Sequence, residues 1–183
     1  MFAIVLGEIG DKTQILALIL AARFRRPVPI ILAIIFATLA NHGLACLAGQ
    51  WFRALLDPQV LRWVLGFSFL GVAAWAIKPD KVEENPKTHG AYGVFMITLV
   101  TFFLAEMGDK TQIVAMALAA KYSSLLAVLD GTTVGMTLVN VPTVLFADNA
   151  LKWVPLKLIR FIAAGIYALL GIITLLGIHI PIG

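Results

Sequence analysis

Charged residues are scarce in this chain of 183 residues, in which Asp, Glu, Lys and Arg together make up 13%. An ordinary soluble domain carries about twice that share. So few charges cannot cover a surface that faces water, which excludes a soluble enzyme, a disordered protein and a nucleic-acid-binding protein of the usual basic kind. Hydrophobic residues make up 61% of the chain, and the sequence therefore predicts an all-α integral membrane protein.

Cysteine is almost absent as well. Cys46 is the only one in the sequence, which excludes an internal disulfide and any cysteine-rich metal site. The three histidines form no cluster with it of the kind that zinc or copper needs. A cleavable signal peptide is not expected either, because the apolar residues after Met1 soon meet Glu8 and Asp11.

Long apolar runs, by contrast, fill most of the chain. A membrane-spanning helix needs about 20 mostly apolar residues, and six such segments are predicted, at residues 1–22, 28–49, 60–77, 92–120, 125–147 and 158–178. The only extended hydrophilic stretch, residues 78–91, separates the third segment from the fourth. We therefore predict one transmembrane domain of six helices, with a first repeat at 1–77, a linker at 78–91 and a second repeat at 92–183.

The basic residues indicate how these segments are oriented. Nine Lys and Arg residues lie in or beside the connections after the first, third and fifth segments, whereas Arg53, Arg62 and Lys121 lie on the other side. Because basic residues concentrate in cytoplasmic loops, we predict that the linker at 78–91 is cytoplasmic and that both termini are outside. The short loops favour a prokaryotic plasma membrane over an organelle.

The strongest feature is an internal repeat. The sequence EIGDKTQI at 8–15 recurs as EMGDKTQI at 106–113, and 11 of 17 positions are identical between 8–24 and 106–122. The match continues more weakly, since Thr38 and Asn41 correspond to Thr137 and Asn140. Each half holds three segments, so the second half is predicted to enter the membrane from the opposite side. Two inverted three-helix repeats are typical of secondary transporters, whose sites lie near the midplane.

Each copy of the motif places charged side chains inside an apolar segment, namely Glu8, Asp11, Lys12, Glu106, Asp109 and Lys110. Burying one such charge costs about 2.5–3.5 kcal/mol, so six isolated charges would cost on the order of 15–20 kcal/mol. They must therefore be paired, hydrated, protonated or bound to an ion. If the two motifs meet between the halves, four carboxylates and two lysines sum to −2, and a divalent cation would neutralise that charge.

The residue types narrow the class of ion. Carboxylate and amide oxygens suit hard cations such as Ca²⁺, Mg²⁺ or Mn²⁺. The predicted metal ligands are Glu8, Asp11, Glu106 and Asp109. Additional ligands or coupling residues are predicted among the polar side chains Gln14, Gln112, Asn41, Asn140, Lys12, Lys110, Thr13 and Thr111. Because carboxylates also take up protons, one site that holds either a cation or protons would give antiport.

Two structural interpretations of the motif remain open. Lys12 and Lys110 would act either as countercharges in the empty site or as helical partners of Glu8 and Glu106, four residues earlier. The sequence Asp-Lys-Thr-Gln is also that of a capping box, with Asp at the N-cap and Gln at the third helical position. Each aspartate would then begin a half-helix after a break at the preceding glycine, which is compatible with ion binding.

The two copies of Glu-x-Gly-Asp-Lys-Thr resemble the signature of the transmembrane protein 165 family, and the resemblance covers nearly the whole chain. Its bacterial members also carry segments that resemble Asn41-His42, Gly131-Thr132-Thr133 and Asn140-Val141-Pro142 of this chain. The family comprises Golgi, chloroplast and bacterial exchangers of Ca²⁺ and Mn²⁺ for protons. The resemblance implies export of Mn²⁺ from the cytoplasm, with the ion ligands mapped onto Glu8, Asp11, Glu106 and Asp109.

The leading interpretation is thus a secondary antiporter that exports Mn²⁺ or Ca²⁺ in exchange for H⁺ or Na⁺. It is not an enzyme and needs no resident cofactor. A passive channel for divalent cations is the first alternative, because acidic rings also select cations, although lysines in the motif argue against it. An intramembrane aspartyl protease is a remote alternative, because the neighbouring lysines favour full ionisation of two aspartates that would have to share a proton.

Overall fold

The computed structural model describes residues 1–78, 93–122, 124–146 and 156–177. These ranges hold eight α-helices and no β-strand. In chain order the helices are α1 (Phe2–Glu8), α2 (Lys12–Phe24), α3 (Pro27–Leu55), α4 (Pro58–Ala76), α5 (Val94–Glu106), α6 (Lys110–Lys121), α7 (Leu125–Leu145) and α8 (Leu156–Leu175). The all-helical class predicted from composition is confirmed for the described part of the chain. Apart from Lys78, the predicted linker at 78–91 lies outside it.

The first and fourth predicted segments are each broken in two at the repeated motif. α1 ends at Glu8 and α2 begins at Lys12, while α5 ends at Glu106 and α6 begins at Lys110. The breaks occur because Gly10 and Gly108 adopt φ of 78° and 76°, a left-handed conformation that glycine takes without steric cost. The break that the capping-box interpretation placed at the glycine before each aspartate is therefore confirmed, and each of these two predicted segments consists of two half-helices instead of one continuous helix.

Proline sets the start of both other helices in the first half. Pro27 and Pro58 occupy the first helical position of α3 and α4, where the missing N–H costs nothing and the fixed φ suits the helix. Asp57 caps α4 by accepting the Gln59 N–H at 2.8 Å. α3 continues to Leu55, six residues beyond the predicted end at residue 49, because no proline and no glycine with a positive φ interrupts it before Pro58.

Most of the tight packing joins one half of the chain to the other. α3 lies against α5, α6 and α7, α4 runs along α8, and α7 packs on α1 and α2. One buried cluster contains side chains from both halves, including Ile34, Phe69, Phe102 and Met136. Because the long helices of each half enclose the broken helices of the other, the acidic side chains of both motifs are buried, while the turn of the second break is exposed at Met107 and Gly108.

The outer faces of the bundle are apolar. Large hydrophobic side chains such as Phe36, Phe67, Leu104 and Leu138 are more than half exposed, which would promote aggregation in water but is expected of helices that face lipid. Within the described residues, α3, α4 and α7 are long and apolar enough to cross a membrane, and α5 and residues 161–175 are shorter apolar helices. The chain is therefore an integral membrane protein, while six spans in two inverted repeats remain a prediction.

Candidate functional site

Three carboxylates from the two motifs meet inside the bundle. Glu8 ends α1, and Asp11 and Asp109 occupy the N-cap positions of α2 and α6. One carboxylate oxygen of each lies within 4.8 Å of those of the other two, and all three residues are buried. Oxygens that ligate one Ca²⁺ at about 2.3–2.6 Å are at most about 5 Å apart. The group, which we call the carboxylate trio, therefore has the spacing of a site for a hard cation.

The helix breaks are held by the glutamines of the motif and not by its aspartates. Neither Asp11 nor Asp109 caps its own helix with its side chain. Instead, Gln14 Oε1 accepts the Gly10 N–H at 2.6 Å, and Gln112 Oε1 accepts the Gly108 N–H at 2.7 Å. The capping-box interpretation is thus correct in placing the aspartates at the N-cap positions. It is wrong in having their side chains cap the helices, because the glutamine side chains make the hydrogen bonds that stabilise the turns.

The two lysines of the motif cross between the halves. Lys110 Nζ donates to Asp11 Oδ1 at 2.6 Å, and Lys12 Nζ lies 3.1 Å from Asp109 Oδ1. Pairing with the glutamates four residues earlier was the other interpretation, and it is wrong. The turn at each glycine removes glutamate and lysine from a common helix, so the spacing of four residues no longer places them side by side.

Glu106 lies outside the trio. His42 Nε2 is 2.8 Å from Glu106 Oε1, and the Thr38 hydroxyl donates to Oε2 at 3.4 Å. Its counterpart Glu8 accepts a hydrogen bond from the Thr13 hydroxyl instead. The structure thus brings together three of the four predicted carboxylates and places the fourth beside a histidine. That Glu106 ligates a metal stays a prediction.

The predicted hydroxyl and amide groups surround the carboxylates. Thr13 donates to Glu8, and Thr111 donates to Asp109 Oδ2 at 3.4 Å. The remaining bonds involve amides. Gln14 donates to Thr143 at 2.9 Å, Gln112 to Asn41 Oδ1, Asn41 to the Phe103 carbonyl at 3.1 Å and Asn140 to the Met136 carbonyl at 3.1 Å. The two glutamines are therefore occupied in holding the motif turns.

One buried oxygen of the trio and one buried oxygen beside it lack a hydrogen-bond donor. They are Glu8 Oε2 and Asn140 Oδ1, and Asn140 lies close to Glu8. A buried acceptor without a donor carries the full cost of lost hydration. A bound cation would remove that cost at both oxygens, so the arrangement fits a metal ion better than an empty structural core.

Tyr167 is a site residue that the sequence analysis missed. It is fully buried in α8, its ring lies against Gly7, and it is near enough to Glu8, Asp11 and Asp109 to interact with them electrostatically. The repeat did contain a signal. At the 98-residue offset that relates Glu8 to Glu106, Tyr167 corresponds to Phe69, so only the second half carries a hydroxyl at this position.

The chain is similar to known proteins over most of its length. A family model described as "Divalent cation/proton antiporter GDT1" matches residues 1–84 and 94–179. A Vibrio cholerae protein named "Putative manganese exporter" is 48% identical over 174 residues, covering 93% of this chain and 86% of that protein. A GDT1-like protein of Synechocystis is 25% identical over 194 residues, covering 95% and 93%. No solved structure matches the chain.

Proposed function

Because the chain belongs to the GDT1 family of divalent cation/proton antiporters, we propose that it exports Mn²⁺ from the cytoplasm in exchange for protons. The family is the one predicted from the duplicated motif. The 48% identical Vibrio cholerae relative carries the name "Putative manganese exporter", which supports Mn²⁺ as the substrate. The carboxylate trio is the observation that carries the proposal, because it provides three buried anionic oxygens at the spacing of one cation.

The oxygen donors of the trio determine which ions it accepts. Glu8, Asp11 and Asp109 offer hard carboxylate oxygens, and Asn140 Oδ1 adds a carbonyl oxygen beside them. Four such oxygens completed by water suit Mn²⁺, while bidentate carboxylates would also satisfy the six to eight oxygens that Ca²⁺ prefers. We propose Mn²⁺ as the principal substrate and Ca²⁺ as a second one.

The charges around the trio balance for either of two occupants. The trio contributes −3, Glu106, which is near enough to Glu8 to interact with it electrostatically, −1, and the two lysines +2, so the trio and its charged neighbours carry −2 when ionised. One divalent cation neutralises that charge, and so do two protons bound to carboxylates. Because burying a net charge in the membrane is costly, the site is stable only with one of these occupants. Exchange of one Mn²⁺ for two H⁺ follows, with no net charge moved.

The crossed lysines give the empty site its structure. Lys110 holds Asp11 and Lys12 holds Asp109 across the two halves, so both aspartates keep a countercharge while the cation is absent. A divalent ion entering the trio competes with each ammonium for the same carboxylate. We propose that this exchange of partners loosens the contact between the halves and accompanies their rocking around the site.

We propose that the exchange occurs across a prokaryotic plasma membrane, with the linker at 78–91 in the cytoplasm and both termini outside. Reconstituted liposomes test the exchange directly. Mn²⁺ is added outside vesicles that enclose a Mn²⁺-quenched dye and a pH dye, at equal internal and external pH. We expect Mn²⁺ entry together with alkalinisation of the lumen, at two protons leaving per Mn²⁺ and at a rate that a clamped membrane potential does not change.

The other outcomes separate the alternatives. Mn²⁺ entry that follows the membrane potential without any pH change would indicate a channel. Entry that requires Na⁺ inside the vesicles would identify Na⁺ as the counter-ion. Ca²⁺ in a parallel sample shows whether it is a second substrate, and protein-free liposomes give the leak. No entry of either ion above that leak would overturn the proposed function.

A further inference from the structure

A cavity lies at the end of the bundle, and none of its lining residues belongs to the carboxylate trio. Its volume is about 520 Å³, within the range of ordinary ligand pockets. It is enclosed by the C-terminal ends of α3, α6 and α8 and by the first turns of α4. Helices from both halves of the chain form its walls, so a ligand bound there would contact both halves.

The cavity is lined by cations. Arg53 of α3, Arg62 of α4 and Lys121 of α6 all face it, and its lining contains no acidic side chain among the residues that the structure describes. None of the three takes part in a salt bridge within those residues. Three basic groups around one space create a positive potential that attracts anions.

Two of these side chains are turned inward. Lys121 Nζ donates to the hydroxyl of Thr174 at 2.9 Å, and Thr174 is buried. Arg62 places its guanidinium against Gly177, and its Nε is buried without a hydrogen-bond partner. A buried guanidinium donor left without an acceptor is costly. It therefore points to an acceptor that belongs to a ligand of this cavity.

The nearest acidic residue in the sequence does not serve as that acceptor. Asp57 is exposed at the N-cap of α4, where its Oδ1 accepts the Gln59 N–H at 2.8 Å. Its carboxylate is thus used to begin the helix. The N-terminus of α4, which carries a partial positive charge, adds to the potential of the three basic side chains.

The cavity lies at the level expected for lipid headgroups. Trp51 of α3 and Trp63 of α4 are 62% and 45% exposed and stand within two residues of Arg53 and Arg62. Exposed tryptophans of this kind mark the boundary between hydrocarbon and water. Phosphate groups are concentrated at that boundary, which makes phosphate the anion class that the cavity meets most often.

We propose that this cavity binds a phosphate group, carried either by an anionic phospholipid headgroup or by free inorganic phosphate. Arg53, Arg62 and Lys121 would neutralise it, with guanidinium groups suited to bidentate contact with phosphate oxygens. Because the arginines come from the first half and Lys121 and Thr174 from the second, the bound phosphate holds the two halves together in this arrangement.

Thermal unfolding of the purified protein in a neutral detergent tests the proposal. Short-chain phosphatidylglycerol, short-chain phosphatidylcholine and inorganic phosphate are added separately at matched ionic strength. We expect a saturating phosphate ligand to raise the midpoint by about 5 °C. The double variant Arg53→Gln/Lys121→Gln should lose that rise. The control Arg23→Gln/Arg26→Gln removes the same charge from exposed positions outside the cavity lining and should keep it.

The probes distinguish the source of the phosphate. A rise with phosphatidylglycerol alone identifies a lipid headgroup, and a rise with inorganic phosphate alone identifies the free ion. Native mass spectrometry of the unmodified chain counts bound lipid or phosphate even if the cavity variant does not fold. Equal rises with phosphatidylcholine and phosphatidylglycerol, equal rises in both double variants, or no rise and no bound species with any probe would overturn the proposal.

Discussion

Glu8→Gln is expected to abolish Mn²⁺ transport while leaving the protein at least as stable as the unmodified chain. Glu8 is fully buried and is in no salt bridge within the described residues, where its only hydrogen-bond donors are polar neutral groups. Its ionised form is therefore costly unless a cation binds. A neutral amide of nearly the same shape removes that cost together with one ligand of the trio, and we expect at least a 100-fold loss of transport, the upper range for a supporting residue of a metal site.

The measurement pairs Mn²⁺ flux in liposomes with the thermal midpoint of the metal-free protein. Asp57→Asn is the matched control, because it makes the same kind of change at an exposed helix cap far from the motifs, and it should transport normally. Normal flux in Glu8→Gln would remove Glu8 from the site. A strongly lowered midpoint would show instead that Glu8 is a structural residue whose charge the fold requires.

Lys110→Met is expected to destabilise the protein far more than Lys12→Met, although the two lysines occupy equivalent positions in the repeat. The Lys110 side chain is 5% exposed and lies 2.6 Å from Asp11, whereas the Lys12 side chain is 27% exposed and lies 3.1 Å from Asp109. Breaking a buried ion pair leaves an uncompensated charge and costs about 3–5 kcal/mol. Partial exposure of the Lys12 side chain reduces the loss, because solvent already screens its attraction to Asp109 in the unmodified chain.

Unfolding of the two variants in metal-free detergent solution measures the difference, and Mn²⁺ should restore more stability to Lys110→Met than to the unmodified chain. The double variant Asp11→Asn/Lys110→Met serves as the control, since it removes both charges and should recover most of the lost stability. Equal destabilisation by the two lysine variants would contradict the asymmetry between the halves. Failure of the double variant to recover would show that the lysine acts by packing.

The helical class and the buried charges of the motif could be predicted from the sequence because they depend on composition and on exact local repetition, and the family could be predicted because the motif resembles a known signature. The breaks at Gly10 and Gly108 were only one of two interpretations, since apolar periodicity runs across both. A glycine in an apolar run is also compatible with a continuous helix, so the sequence alone does not show that Gly10 and Gly108 adopt a positive φ.

Pairing across the halves could not be predicted in the same way. Local spacing offered Glu8 as the partner of Lys12, whereas the structure pairs that lysine with Asp109, 97 positions further along the chain. Which carboxylate a lysine reaches depends on how two helices from different halves approach each other. The spacing of residues within one motif does not specify how these two helices pack.

Two positions at which the halves carry different residues also indicate where the site lies. His42 has Val141 as its counterpart, and Tyr167 has Phe69. The structure places His42 on Glu106 and Tyr167 near the trio, so each polar member of these two pairs lies beside a motif carboxylate. Positions at which a repeat departs from its own symmetry were therefore a usable signal for site residues.

The proposed exchange of one Mn²⁺ for two protons is tested most directly by the number of protons released when Mn²⁺ binds to the purified protein. Calorimetric titration in buffers of different ionisation enthalpy gives both the number of bound ions and the number of protons. We expect one Mn²⁺ per chain, proton release that approaches two as the pH is lowered, and no binding to Glu8→Gln. Binding of Mn²⁺ without proton release at any pH, or unchanged binding to Glu8→Gln, would contradict it.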